Sequence, residues 1–185
     1  MRPWPKLSSR LLGDFHIFRL HSQRFVSPRT GGEHDFFVLD VPSWVNVVAI
    51  TPDEKVVLIE QFRFGTAQVT LEIPGGMIDA GEDPVAAGAR ELLEETGYRA
   101  ARYTLLGHVE PNPAIQNNLC YTVLAEDATP TGHQDLDEKE DIGVTLRPVA
   151  DIPDLLRSGA IRHALVWAGF QHYDLHRRTT ATTAR

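Results

Sequence analysis

Three glutamates, Glu91, Glu94 and Glu95, fall within one five-residue stretch. Glu91 and Glu95 are four apart, so on a helix they share a face, with Glu94 beside them. Like charges at that spacing weaken a helix, and a hard divalent cation removes the repulsion. Magnesium takes oxygen ligands and keeps several waters, so a few carboxylates suffice and room remains for phosphate oxygens. The plain alternative is a solvated acidic face. Arg90 stands four residues before Glu94 and can pair with it.

The elements that must position these acids are written in the flanking residues. Residues 71–73 read as the end of a strand, which Pro74, Gly75 and Gly76 break. A loop follows to Asp83, and a helix is expected over Pro84–Thr96. Asp83 can accept hydrogen bonds from the free amides of the first turn, Pro84 suits the first helical position, and Gly97 suits the exit.

Gly76, five residues, Glu82, seven residues, then Arg90-Glu91-Leu92, Glu94-Glu95 and Gly97-Tyr98 resemble the Nudix hydrolase signature without a gap. Tyr98 is the one departure, at a position where an aliphatic residue is commoner. The resemblance implies an α/β fold, the Nudix α/β/α sandwich, and cleavage of a nucleoside diphosphate linked to another group. It also implies magnesium, with manganese as the other candidate, held by Glu91 and Glu95. Similarity to the ADP-ribose pyrophosphatase branch adds the backbone carbonyl of Gly75 to that set. Glu82 and Glu94 either bind a further ion or brace the loop through Arg90. In that branch a glutamate from a late loop is the base. Here the loop is 132–141, with Glu138 as the base and Glu140 as a possible metal ligand, against a solvated acidic loop as the alternative. Asp135 and Asp137 are weaker candidates for the base.

The 185 residues suffice for one domain with a core, and 42% are apolar. No apolar run approaches the roughly 20 residues that span a membrane, and no continuous apolar signal core opens the chain, so a cytoplasmic protein is expected. Cys120, the single cysteine, excludes an internal disulfide and a multi-thiolate zinc site and is expected to be buried. A net charge of -7 argues against long nucleic acids. It leaves room for a small anion, since a metal ion and a few arginines reverse the local field.

Strands are expected at 15–25 and 34–41, forming a hairpin about the turn at 27–33, then at 44–51, 56–62, 69–73, 103–109, 118–125 and 143–149. His16 and His21 are read as polar strand residues. Helices are expected at 152–157 and 160–175, the latter with Ile161, Leu165, Ala168 and His172 on one face. The chain then divides into an N-terminal β extension (1–42), a Nudix domain (43–176) and a flexible tail (177–185). Resemblance to the ADP-ribose pyrophosphatases implies that the extension builds a homodimer; packing on the protein's own core is the alternative.

The same resemblance assigns Arg63 to the substrate phosphates, and a guanidinium fork suits them. Trp44 is a candidate for stacking on a base, with core or interface packing as the alternative. Pro113 marks the ADP-ribose branch, but the run 112–118 departs from its usual surroundings and looks like nucleoside diphosphate sugar hydrolases of broader specificity. Gln116 and the neighbouring asparagines either bind sugar hydroxyls or knit the loop to itself. The leading expectation is therefore hydrolysis of nucleotide sugars to a nucleoside monophosphate and a sugar phosphate. The alternatives are a strict ADP-ribose pyrophosphatase, a hydrolase of nucleoside triphosphates or dinucleoside polyphosphates, an RNA-end hydrolase, and a noncatalytic nucleotide-binding module.

Overall fold

The computed structural model describes residues 1–183. Two compact units emerge, one formed by Met1–Ser43 with Glu110–Leu119, the other by Trp44–Val109 with Cys120 onward.

The first unit is a three-stranded antiparallel sheet, β1 (Lys6–Asp14), β2 (Arg19–Val26) and β3 (Glu33–Asp40), in that order. The expected hairpin is its β2–β3 half. Strand β1 was not expected, because its sequence KLSSRLLGD has no sustained alternation. His16 is not a strand residue. It sits at φ 67° in the bend before β2, its amide donating to Asp14 Oδ1. The loop 110–119 is tied to β3. The Leu39 amide donates to the Ile115 carbonyl, Asn117 Nδ2 donates to Asp40 Oδ1, and the Val41 amide donates to Asn117 Oδ1.

The second unit is a mixed sheet between helices. Its strands are β4 (Trp44–Ile50), β5 (Lys55–Arg63), β6 (Gln68–Glu72), β7 (Gly75–Met77), β9 (Arg102–Val109), β10 (Cys120–Glu126) and β12 (Ile142–Pro148). The main order is β12-β5-β4-β10-β9, with β6 on β5 and β7 on β4. Only β4 and β10 pair in parallel among these neighbours. A small ribbon joins β8 (Tyr98–Arg99) to β11 (Thr129–Pro130). Strand β4 is apolar at nearly every position because both its faces are covered. Val45 and Val47 pack with Ala87 and Leu92 of helix α1 (Pro84–Thr96), whereas Val48 and Ile50 pack with Ile152, Leu155, Val166 and Phe170. The last four belong to α2 (Ile152–Arg157) and α3 (Ala164–Thr183).

Helix α3 starts later and ends later than expected. Its buried positions are Val166, Gly169, Phe170 and Tyr173, while Leu165, Ala168 and His172 are half-buried and Ile161 precedes the helix. Residues 177–183, expected as a flexible tail, continue the helix; 184–185 lie outside the described residues. Strand β7 falls where a loop was expected, because pairing with β4 extends a sequence, Gly-Gly-Met, that has little strand preference of its own. No described helix is long and apolar enough to cross a membrane.

Candidate active site

Helix α1 has the expected ends. Asp83 accepts hydrogen bonds from the amides of Val85 and Ala86, Pro84 opens the helix, and Gly97 closes it at φ 70°. A side chain at Gly97 would be strained by that angle and would meet the Gly132 carbonyl at 2.7 Å. The helix buries Ala87, Gly88, Leu92, Glu95 and Thr96. Ala87, Glu91 and Glu95 form one row at four-residue spacing, so the packed face draws two carboxylates inward with it.

Glu95 is 4% exposed, and its Oε2 accepts from the Gly75 amide at 2.8 Å. Burial pushes this carboxyl up to about 8, against the pull of that amide and with the added repulsion of Glu91 and Glu140. Burial also raises Glu91, opposed by Arg90. The α-carbon of Gly76 lies against the Glu91 carboxylate, so a methyl there would overlap its oxygens.

Arg90 is the hub of the surrounding loop. Its Nε and Nη2 donate to the two oxygens of Glu82, both at 3.0 Å. Nη1 donates to Glu91 at 2.8 Å and to Glu94 at 3.0 Å, and Nη2 also reaches the Met77 carbonyl at 3.0 Å. These bonds raise the guanidinium's affinity for its proton despite burial. Arg90 thus joins Glu82 and the Met77 carbonyl of the 77–82 segment to α1.

Glu138 and Glu140 are exposed in the loop between β11 and β12. Glu140 accepts from the Asp137 amide at 3.0 Å, and its own amide donates to the Asp137 carbonyl. The base of the loop follows the end of α1, with Gln134 Nε2 donating to the carbonyls of Glu95 and Ile142, and the Asp135 amide donating to that of Glu94. The charge of Glu140 is felt at Glu91 and Glu95. Trp44 opens β4, half-buried and paired with Met77 and Cys120. Burial raises the Cys120 thiol to about 12, in keeping with an inert core residue.

Arg63 stands at the end of β5, bonded by two nitrogens to Glu72: Nε to Oε1 at 2.9 Å and Nη2 to Oε2 at 2.7 Å. Glu72 is 2% exposed and takes two further donors, Thr70 Oγ1 at 2.6 Å and His163 Nδ1 at 2.8 Å. Burial alone would raise its carboxyl; the bonds from Arg63, His163 and Thr70 overcome this and hold it far below the usual range. The sequence reading passed over Glu72 and His163. The available signal was a lone charge between Leu71 and Ile73 in an apolar strand.

Pro113 and Gln116 belong to the other compact unit. Pro113 is exposed, and Gln116 is half-buried and bridged to Leu39. Of the neighbouring asparagines, Asn117 bonds β3 as above and Asn118 Nδ2 donates to the Pro42 carbonyl, while the buried Asn118 Oδ1 has no partner among the described residues.

Among the described residues no three carboxylates, imidazoles or thiolates are gathered into a closed metal cage. A buried carboxyl and a half-buried one, one turn apart, both raised chiefly by burial, and a glycine surface beside the second form an open edge of oxygen donors. That donor set fits a partly hydrated magnesium ion, which binds through one or two carboxylates rather than an all-protein cage.

Fold and acid row together define the class. Residues 42–167 match the NUDIX domain model, and the chain belongs to that family, related to the ADP-ribose pyrophosphatase branch of Nudix hydrolases. An ADP-ribose pyrophosphatase of Bacillus subtilis (strain 168) is 30% identical over 135 residues, 72% of this chain and 73% of that protein. The ADP compounds hydrolase NudE of Escherichia coli (strain K12) is 32% identical over 117 residues, 62% of each chain. A crystal structure of an ADP compounds hydrolase superposes with a TM-score of 0.85, covering 97% of both chains at 23% identity, which is a likeness of fold.

Proposed function

We propose that this chain hydrolyses the diphosphate of ADP-linked compounds in a magnesium-dependent reaction, with ADP-ribose as the favoured substrate. The observation that carries this reading is the row of Glu91 against Gly76 and buried Glu95 on the Gly75 amide, in a chain similar to an ADP-ribose pyrophosphatase and an ADP compounds hydrolase. The sequence favoured nucleotide sugars more broadly. The asparagines of the 112–118 loop supported that wider range, and the Asn117 side chain and Asn118 Nδ2 are engaged within their own unit.

Glu91, Glu95 and the Gly75 carbonyl would hold the metal, with Glu140 a further ligand from the loop. A bound magnesium ion screens the diphosphate's charge and lowers the pKa of water. Arg63 offers Nη1 to a phosphate oxygen, since Nε and Nη2 are engaged by Glu72. Glu138 takes the proton of the attacking water; it is exposed, whereas the Glu140 carboxylate is engaged by the Asp137 amide. Glu82, Glu94 and Arg90 keep the loop and helix in register. Trp44 is proposed to stack on the base.

The protein is further proposed to be a cytoplasmic homodimer. Leu11 and Phe36 share one face of the three-stranded sheet and are 52% and 44% exposed, while Phe37 on the opposite face is 63% exposed, so apolar area is left that a second copy would cover. Light scattering of the purified chain at twice the monomer mass supports this, and a monomer at micromolar concentration overturns it.

The deciding assay incubates the protein and magnesium with ADP-ribose, GDP-mannose, UDP-glucose, ATP and diadenosine polyphosphates, with products separated by chromatography. ADP-ribose should give AMP and ribose 5-phosphate fastest. Equal rates across the sugars would restore the broader reading. Faster turnover of ATP or the dinucleotides would replace it. Near-normal turnover by Glu95→Gln would remove the metal assignment.

A further inference from the structure

A cation beside an acidic metal site is a hazard. Arg63 and Glu95 feel each other's charge, and an unrestrained guanidinium would pair with the nearest exposed carboxylates. In this structure it does not. Glu72 takes Nε and Nη2 in a two-point fork, and Nη1 has no partner among the described residues. The Arg63 side chain is 43% exposed while its partner's is 2% exposed, so the pair is anchored from inside and open outward. Glu72 is itself fixed from two other directions. Thr70 comes from its own strand and His163 from the turn before α3, 91 residues away. All the donors that reach Glu72 converge on two oxygens, which leaves the carboxylate little freedom to turn.

We infer that Glu72 is a positioning residue for Arg63: it holds the guanidinium off Glu95, leaving Glu95 free for metal and Nη1 free for a diphosphate oxygen. Thr70 and His163 act through Glu72 by fixing its rotamer. The inference rests on the proposed role of Arg63, and it adds residues that the sequence reading did not include. Replacing Glu72 by Gln removes the charge, keeps the volume and, in either orientation, turns its NH2 toward one of the two bonded Arg63 nitrogens, which breaks the fork. The guanidinium is then released, and the carboxylates of α1 become its best partners.

The test is a double-mutant cycle between positions 63 and 72, read by KM and kcat for ADP-ribose and by calorimetric titration of inorganic pyrophosphate in the presence of a chelator. Pyrophosphate carries the diphosphate without nucleoside or sugar, so its binding reports on Arg63 even where the substrate reading fails. Glu72→Gln should raise KM and weaken pyrophosphate binding about tenfold, with kcat within about twofold at saturating substrate and magnesium. In an Arg63→Ala background the same substitution should change neither by more than about twofold. An equal factor in both backgrounds would make Glu72 a purely structural residue and overturn the inference, as would unaltered pyrophosphate binding by Glu72→Gln. Absence of pyrophosphate binding by the wild type would overturn it together with the role of Arg63. Absence of ADP-ribose turnover with pyrophosphate binding intact would overturn only the substrate. Should Glu72→Gln fail to fold, His163→Gln and Thr70→Val each remove one support and keep the carboxylate. Each should raise KM about two- to fivefold, again only when Arg63 is present. Persistence of that rise in Arg63→Ala would refute the inference.

Discussion

Replacing Arg90 by Ala removes the tie between the loop after β7 and helix α1. Four of its hydrogen bonds go to carboxylates and one to a backbone carbonyl. A hydrogen bond to a charged group contributes roughly 1.5–3 kcal/mol when sheltered. Arg90 is 31% exposed and Glu94 37%, so the bonds are partly screened and share a single side-chain entropy cost. A loss of about 3 kcal/mol is therefore expected, far below the sum of the five. Part of it comes from what is left behind, because Glu82 and Glu91 are 19% and 13% exposed and would face each other without a cation.

For a chain of this size, 3 kcal/mol lowers the melting temperature by about 6–12 °C. Thermal and urea unfolding with a chelator present reads it directly. Arg90→Lys keeps the charge but not the fork, so it should recover less than half of the loss. Millimolar magnesium should recover more in Arg90→Ala than it adds to the wild type, since the freed carboxylates gain a competing cation. A melting temperature within about 1 °C of wild type for Arg90→Ala would refute the bracing role. Full recovery by Lys would show that only net charge matters there.

Gly97→Ala should destabilise by about 1–3 kcal/mol in urea unfolding, since the left-handed backbone and the Gly132 carbonyl both oppose the methyl; a neutral result would mean that the loop at 132 yields freely. Glu138→Gln should lower kcat by at least about a hundredfold while leaving KM nearly unchanged, and Glu140→Gln should instead raise the magnesium requirement; single-turnover rates at several magnesium concentrations distinguish them, and the opposite pattern exchanges the two roles. Glu95 sets a pH dependence. Its folded pKa of about 8 lies above the ordinary carboxylate value, so the metal-free fold binds the proton more tightly than the unfolded chain does. Stability from this group is thus fully present at pH near 4 and is lost as pH rises toward 8. Chelated wild type should lose stability over that window relative to Glu95→Gln, measured by urea unfolding at pH 5.5 and 8.5. Parallel behaviour of the two proteins would show that Glu95 ionises normally.

The acidic helix was legible to the residue because its ends are local chemistry. Asp83, Pro84 and Gly97 act on the amides and carbonyls next to them, and no tertiary partner is needed to read them. The central strands were legible because both faces of β4 and β5 are covered, which writes an unbroken apolar run. What failed to show is what depends on a distant partner. Strand β1 exists through its ladder with β2, and β7 through three pairs with β4. The tail at 177–183 reads as Thr-rich and frayed, yet it continues a helix whose packed turn is set upstream, at Phe170 and Tyr173.

The same distinction divides the site. Glu91, Glu94, Glu95 and Arg90 lie within one and a half turns, so their grouping follows from helical geometry alone. Which of those acids stay available follows from residues elsewhere. Arg90 neutralises part of Glu91 and Glu94 from within the helix and takes Glu82 from the loop. Arg63, the other cation that senses this row, is held by Glu72 on the neighbouring strand instead. Glu95 accepts only a backbone amide and remains the least neutralised carboxyl of the group, which is why burial and its neighbours raise it so far. A site that binds a cation must leave some negative charge uncompensated by the protein. Here that condition depends on where two arginines are fixed as much as on the acidic row itself, and the partner that fixes Arg63 is a buried glutamate held in turn by a histidine 91 residues farther along the chain.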